Sequence, residues 1–197
     1  MLIDTNAPSL TKVAAPADRY FANSSVSYIT PSIVELSDAP LNITYGARFI
    51  VSATGTSNRN LSFYDGSNYV ALVDGESYTI SFYARVTNGS KMEVRPFYYR
   101  SNSITIATED ITNSDWKRFN YTFTYDASAC GDSNGTGARV YFGGRATYLG
   151  TLEICGFKLE QGTIGTEYTP APEDVDYKVY VAQNTADTAT ENISSVT

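Results

Sequence analysis

From Glu76 to Val86 apolar and polar positions alternate, with Tyr78, Ile80, Phe82, Ala84 and Val86 set between Ser77, Thr79, Ser81, Tyr83 and Arg85. A period of two is the pleat of a β-strand with one face in a core, and the first set is expected to be that face. The rhythm continues through Met92–Arg100, where Met92, Val94, Pro96 and Tyr98 alternate with Glu93, Arg95, Phe97 and Tyr99. Pro96 weakens that strand, because it has no N–H to give a neighbour. Phe119, Tyr121, Phe123 and Tyr125 repeat the pattern after Trp116, and shorter runs stand at Arg48–Ala53, Leu61–Tyr64, Asn68–Val73, Ala138–Gly143 and Thr151–Glu160.

Turn chemistry separates these runs. Asp65-Gly66 and Asp74-Gly75 are turn signals that make residues 47–73 read as a meander, and Asn88-Gly89 predicts a tight hairpin joining the strands at Glu76 and Met92. The first forty residues hold shorter extended pieces, Asp18–Phe21 and Ser27–Leu36, broken by Pro16, Pro31 and Pro40 as edge strands and loops are. About ten short strands with no amphipathic helix between them favour an all-β, antiparallel sandwich over a parallel βαβ fold.

The pattern changes after Pro172, where large apolar residues give way to Ala, Thr, Asp and Asn. Val175, Val179, Ala182, Ala186, Ala189, Ile193 and Val196 step by four and three, the spacing of a coiled-coil seam, behind the first-turn residues Glu173 and Asp174. Thr and Asn are poor helix formers, so a polar tail is the competing reading. The chain therefore divides into a β-sandwich over 1–165 and a Pro-containing linker with a helix over 166–197, the helix being a candidate homotrimer contact.

Composition narrows the chemistry. Sixteen Tyr and nine Phe suit a sandwich, and the formal charge of −7 with no run of Lys or Arg opposes a nucleic-acid backbone. Histidine is absent, which removes the usual general base and the commonest metal ligand. Cys130 and Cys155 lack metal-site spacing and read as either a disulfide or ordinary thiols, while Asn-x-Ser/Thr sequons such as Asn42-Ile-Thr carry no inference in so Asn- and Thr-rich a chain. Met1–Ile3 is too short for a signal peptide, and no apolar run approaches the roughly 20 residues of a membrane span, so no membrane insertion is expected. No nucleophile elbow, phosphate loop or metal cluster appears, and most acids neighbour turns. Glu93 and Glu153 are the strand-interior acids that could form a catalytic pair, and the expectation is that the chain is not an enzyme.

Three segments together carry a family resemblance. Gly75-Glu-Ser-Tyr-Thr-Ile-Ser-Phe-Tyr-Ala-Arg, Trp116-Lys-Arg-Phe-Asn-Tyr-Thr-Phe-Thr and Leu152-Glu-Ile-Cys-Gly-Phe-Lys-Leu-Glu-Gln-Gly resemble, in order and spacing, the core strands of carbohydrate-binding modules of families four, nine and twenty-two. The resemblance spans roughly 45–162 and implies a jelly-roll, galactose-binding-domain-like sandwich whose work is glycan binding. Lys158-Leu-Glu-Gln-Gly-Thr-Ile-Gly-Thr-Glu-Tyr-Thr-Pro-Ala-Pro-Glu-Asp and the opening Leu2-Ile-Asp-Thr-Asn-Ala-Pro-Ser-Leu are similar to the exits and starts of such modules in tail and baseplate proteins of phages of Gram-positive bacteria. That similarity implies an internal piece of a larger virion protein, with other tail proteins and a bacterial surface glycan as partners. Relatives often hold a structural calcium; Asp4 and Glu153 are candidate ligands here, with ordinary surface acids as the alternative. No other cofactor is expected.

The candidate binding residues follow from the outward positions. Aromatic faces stack on the C–H face of a sugar ring and Arg forks bind its hydroxyls, which points to Tyr83, Arg85, Arg95, Phe97 and Tyr99 on the expected hairpin, joined by Arg139 and Tyr141 if a later strand belongs to the same sheet, as the resemblance implies. Cross-strand aromatic packing, or a second core under loops, is the alternative use of the same residues. A structural tail domain without ligand and an accessory module of a glycan-degrading enzyme are the competing functions.

Overall fold

The structure, a computed structural model, describes residues 20–23, 27–55, 61–65, 72–99, 103–130 and 139–169. Asp4 and the residues expected to form a helix over 173–196 lie outside the described residues.

Among the described residues eleven strands form two antiparallel sheets. They are β1 (Tyr20–Asn23), β2 (Ile29–Glu35), β3 (Tyr45–Val51), β4 (Leu61–Asp65), β5 (Ser77–Asn88) and β6 (Met92–Tyr99), followed by β7 (Ser103–Thr105), β8 (Glu109–Ile111), β9 (Lys117–Thr124), β10 (Arg139–Arg145) and β11 (Gly150–Gln161). The order β1-β4-β10-β6-β7, with β8 also on β6, makes one sheet, and β2-β3-β11-β5-β9 makes the other. This is the antiparallel sandwich expected from the alternation.

Alternation places the core where the period of two predicts it. Tyr78, Ile80, Phe82 and Ala84 are all 0% exposed, and the register of β5 against β9 sets Phe123, Tyr121 and Phe119 beside them. Met92 and Val94 of β6 and Ile111 of β8 close the core from the other sheet. Phe82 stacks on Phe119 with ring centroids 5.6 Å apart, an offset arrangement that adds to simple burial.

Two connections run differently from the local reading. β3 and β4 belong to different sheets, so residues 47–73 are not a meander, and Leu72 and Val73, the described end of the strand expected over Asn68–Val73, are not in a strand. β5 and β6 do not pair as a hairpin either. β5 is flanked by β9 on one side and β11 on the other, so both of its ladder edges are taken and β6 has nowhere to dock beside it. Gly89 does make the turn, with φ of 93°, but the chain crosses there to the opposite sheet. A Cβ on Gly89 would stand 2.5 Å from the Leu149 carbonyl oxygen, so the crossing requires glycine twice over.

The only helical pieces among the described residues are one 3-10 turn, Pro40–Asn42, and the four-residue α1, Ala127–Cys130. Asp126 accepts the Ala129 N–H at 2.9 Å and the Ser128 hydroxyl at 2.6 Å, as a helix N-cap does. Cys155 is a buried free thiol, which settles the open alternative against a disulfide.

Candidate functional site

The two sheets split the seven expected site residues into two groups. Arg95, Phe97 and Tyr99 lie on β6, and Arg139 and Tyr141 on its neighbour β10, all in the six-stranded sheet. Tyr83 and Arg85 lie on β5 in the five-stranded sheet and cannot share a surface with the others. The single seven-residue cluster is therefore divided between the two sheets. Its error follows from the hairpin, which would have laid β5 beside β6.

Within the six-stranded sheet the register brings the five together. Arg139 stands opposite Tyr99, Tyr141 opposite Phe97 and Gly143 opposite Arg95. Met92 and Val94 are fully buried, so Glu93 and Arg95 occupy the alternate positions on the side away from the core, and Phe97 and Tyr99 continue that register along β6. The same register extends to strands the sequence did not connect. Phe63 pairs with Phe142, which carries Tyr64 to the level of Tyr141, and Phe21 stands opposite Tyr64. A row Phe21, Tyr64, Tyr141, Phe97, Thr105 thus crosses five adjacent strands, four of its positions aromatic. Neighbouring strands are spaced about 4.8 Å, so the aromatic part is about 14 Å long. Beside it runs a row with small members, Asn23, Ser62, Gly143 and Arg95. Glycine in a strand interior marks a place where another group approaches the backbone closely.

At one end of this face Arg95 Nε donates to Glu93 Oε1 at 2.5 Å and the Thr147 hydroxyl donates to Glu93 Oε2 at 3.2 Å. Lys91 Nζ donates to Asp110 Oδ2 at 2.9 Å and lies 4.2 Å from the centre of the Tyr148 ring. The hydrogen bond with Tyr148 and that with Asp110 hold the Lys91 ammonium above its usual pKa.

Tyr83 and Arg85 belong to a second, covered cluster on the back of the five-stranded sheet. Arg85 Nε donates to Glu153 Oε2 at 2.8 Å, its Nη1 to Asp38 Oδ2 at 2.6 Å, and its guanidinium sits 4.4 Å from the centre of the Trp116 ring. Arg48 takes the other Glu153 oxygen through Nε at 2.8 Å and Nη2 at 2.5 Å. With both oxygens held by guanidinium groups Glu153 does not fit a calcium ligand, and no group of three metal-binding residues occurs among the described residues. The Arg85 fork, and its charge, hold Asp38 below the usual carboxylate range. Burial raises the Tyr83 phenol above its ordinary value.

Glu93 and Glu153 do not form a facing pair. Glu93 is on the six-stranded sheet and Glu153 on the five-stranded one, each on the side away from the core that separates the sheets by about 10 Å. Each is already committed to arginine.

The two-sheet antiparallel arrangement defines the chain as a β-sandwich module, and comparison places it further. A profile described as carbohydrate binding domain matches residues 34–147, more than half the chain. The chain belongs to that carbohydrate binding domain family. No curated protein matches it. Among solved structures, one titled "CBM4 structure and function" has a TM-score of 0.50 at 16% identity, over 76% of this chain and 91% of that one. A putative sugar binding protein from Bacteroides thetaiotaomicron has a TM-score of 0.55 at 12% identity, over 80% of this chain and 95% of that one. The enzymatically active domain of tailspike protein 4 from bacteriophage CBA120 has a TM-score of 0.53 at 11% identity, over 80% of this chain and 21% of that one. At such identities the likeness is one of fold. No described helix is long and apolar enough to cross a membrane.

Proposed function

We propose that this module binds a polysaccharide without cleaving it, on the outer face of the six-stranded sheet, as part of a phage tail that attaches to a bacterial surface glycan. The observation that carries the reading is the row Phe21, Tyr64, Tyr141, Phe97 across four adjacent strands. Aromatic residues in line suit a chain of sugars lying across the strands, and Arg95 and Arg139, beside the row in register, would donate hydrogen bonds to the hydroxyl rim. The separation of Glu93 from Glu153 supports binding without hydrolysis, since the two-carboxylate mechanism needs them about 5–9.5 Å apart across one bond. The tail context is supported by the resemblance of Lys158–Asp174 to the exits of phage tail modules and by the fold shared with a tailspike domain. A second reading, an accessory module of a glycan-degrading enzyme, is favoured by the fold shared with parts of an arabinofuranosidase and a xylanase, of each of which this chain spans 26%.

The test is binding of the parent, Phe97→Ala and Tyr99→Ala to a panel of cell-wall polysaccharides and to intact cells. Loss of a central stacking ring is expected to cost about 2 kcal/mol or more, roughly thirtyfold in affinity, with cooperative unfolding kept. A ligand bound equally by all three proteins places the site elsewhere. Loss of cooperative unfolding in both variants makes Phe97 and Tyr99 structural residues instead.

A further inference from the structure

The last strand does not end the packing. After Gln161 the chain turns at Gly162, whose φ is 110°, and comes back over the outer face of the five-stranded sheet as an extended segment without a strand ladder. The Gly162 N–H donates to the Ser77 carbonyl at 2.7 Å and its carbonyl accepts the Thr79 hydroxyl at 2.9 Å, which pins the root.

Beyond the root, side chains of two strands hold the segment. Glu160 accepts the Thr166 N–H at 2.9 Å and also the Thr166 hydroxyl. Lys158 Nζ donates to the Thr166 hydroxyl oxygen at 2.5 Å and to the Glu167 carbonyl at 2.9 Å, and lies 3.1 Å from the Glu160 carboxylate. Arg118 of β9 donates to the Gly165 carbonyl at 3.1 Å and to that of Thr166. Tyr168, 7% exposed, is the one large apolar anchor at the far end, over Gly156. Gly165 permits the close approach at mid-length, since a Cβ there would stand 2.5 Å from the Asn120 amide oxygen.

The energetics of this docking differ from those of the sandwich. Strand amides in the core lose their partners only if the sheet comes apart, whereas the segment is held by charged and hydroxyl groups that water would solvate well once it lifted. Lys158 and Glu160 keep each other as partners in the lifted state, and Tyr168 is the main apolar surface that would be exposed. Little opposes a local opening.

We propose that residues 163–169 are a clasp, hinged at Gly162, which docks on this polar groove and opens as a unit while the sandwich stays folded. Closed, it fixes the start of the following chain on the back of the five-stranded sheet. Open, it frees that chain to swing about the Gly162 root.

Amide hydrogen exchange on the full chain tests this, with Glu160→Ala and Tyr168→Ala as perturbing variants. In the parent the Thr166 amide is expected to exchange more slowly than in an unstructured peptide but well ahead of the Val86 and Tyr125 amides, which donate to Asn113 and Glu76 at 2.8 and 2.9 Å. Each variant is expected to speed Thr166 at least tenfold and leave Val86 and Tyr125 unchanged. Thr166 exchanging in step with Val86 in the parent, or all three amides accelerating together in both variants, shows that the segment is part of the global fold. Thr166 exchanging at the peptide rate in the parent shows that no clasp closes. Any of these results overturns the proposal.

Discussion

Arg85 and Glu153 stand directly opposite one another in the register of β5 and β11, joined Nε to Oε2 at 2.8 Å on the side of the sheet away from the core. With Arg48 on the far side of Glu153, a single carboxylate at 1% exposure balances two guanidinium groups.

Removing that carboxylate leaves Arg85, whose side chain is 16% exposed, with only the exposed Asp38 as partner. Glu153→Ala is expected to cost about 3 kcal/mol, in the range for breaking a buried pair, while Asp38→Ala costs far less because its carboxylate is solvated. Urea unfolding midpoints check the contrast. Equal losses would mean that the network is screened throughout.

The split of the expected site between sheets has its own test. Tyr83→Phe, on the five-stranded sheet, is expected to leave glycan affinity unchanged, whereas Arg95→Ala, in the row beside the aromatics, is expected to weaken it several-fold. Titration against whichever polysaccharide the parent binds decides. A large loss on changing Tyr83 would move the site to the other sheet.

Acid should loosen the back of the five-stranded sheet. Burial alone would raise Glu160, but the hydrogen bonds from Thr166 and Lys158 outweigh it and hold its pKa below the ordinary 4.5. A carboxylate lowered on folding contributes stability that is present above its unfolded value and lost as pH falls through the folded one, so the loss runs downward from about pH 4.5. Glu160→Gln is expected to flatten the pH dependence of Thr166 protection there, measured as amide protection factors from pH 6 to pH 2.5. An unchanged slope would show that Glu160 is not linked to that protection.

Burial pushes the Cys155 thiol up to about 12. Thiolate is the reactive form, so in a Cys130→Ser background Cys155 is expected to resist a thiol reagent at pH 8 and to react at once in denaturant. Stoichiometric labelling of the native protein within minutes would contradict the burial described.

The alternation over Glu76–Val86 was legible because β5 has one face in the core, and the strand runs there almost as its apolar positions predict. Asn88-Gly89 was also read correctly as a turn. Its destination was not, because a dipeptide encodes a change of direction and not which strand edge is free, and β9 and β11, which arrive later in the chain, occupy both edges of β5. Phe21 and Tyr64 were missed for a related reason. Nothing local to β1 or β4 shows that they continue a row from β10, a relation between residues about 80 and 120 apart that exists only in the register. β7 and β8, three residues each, are too short to show a period.

The position of β11 bears on how the chain is made. It is the last of the described strands in sequence yet the middle one of its sheet, with β3 on one side and β5 on the other, and the Arg48–Glu153 bond spans 105 residues. Until Gly150–Gln161 has left the ribosome, β2 with β3 and β5 with β9 are two separate ribbons, each showing an unpaired edge to the cell. Such late, long-range closure predicts slow folding and a window in which a chain stalled before Gly150 adheres to other nascent chains.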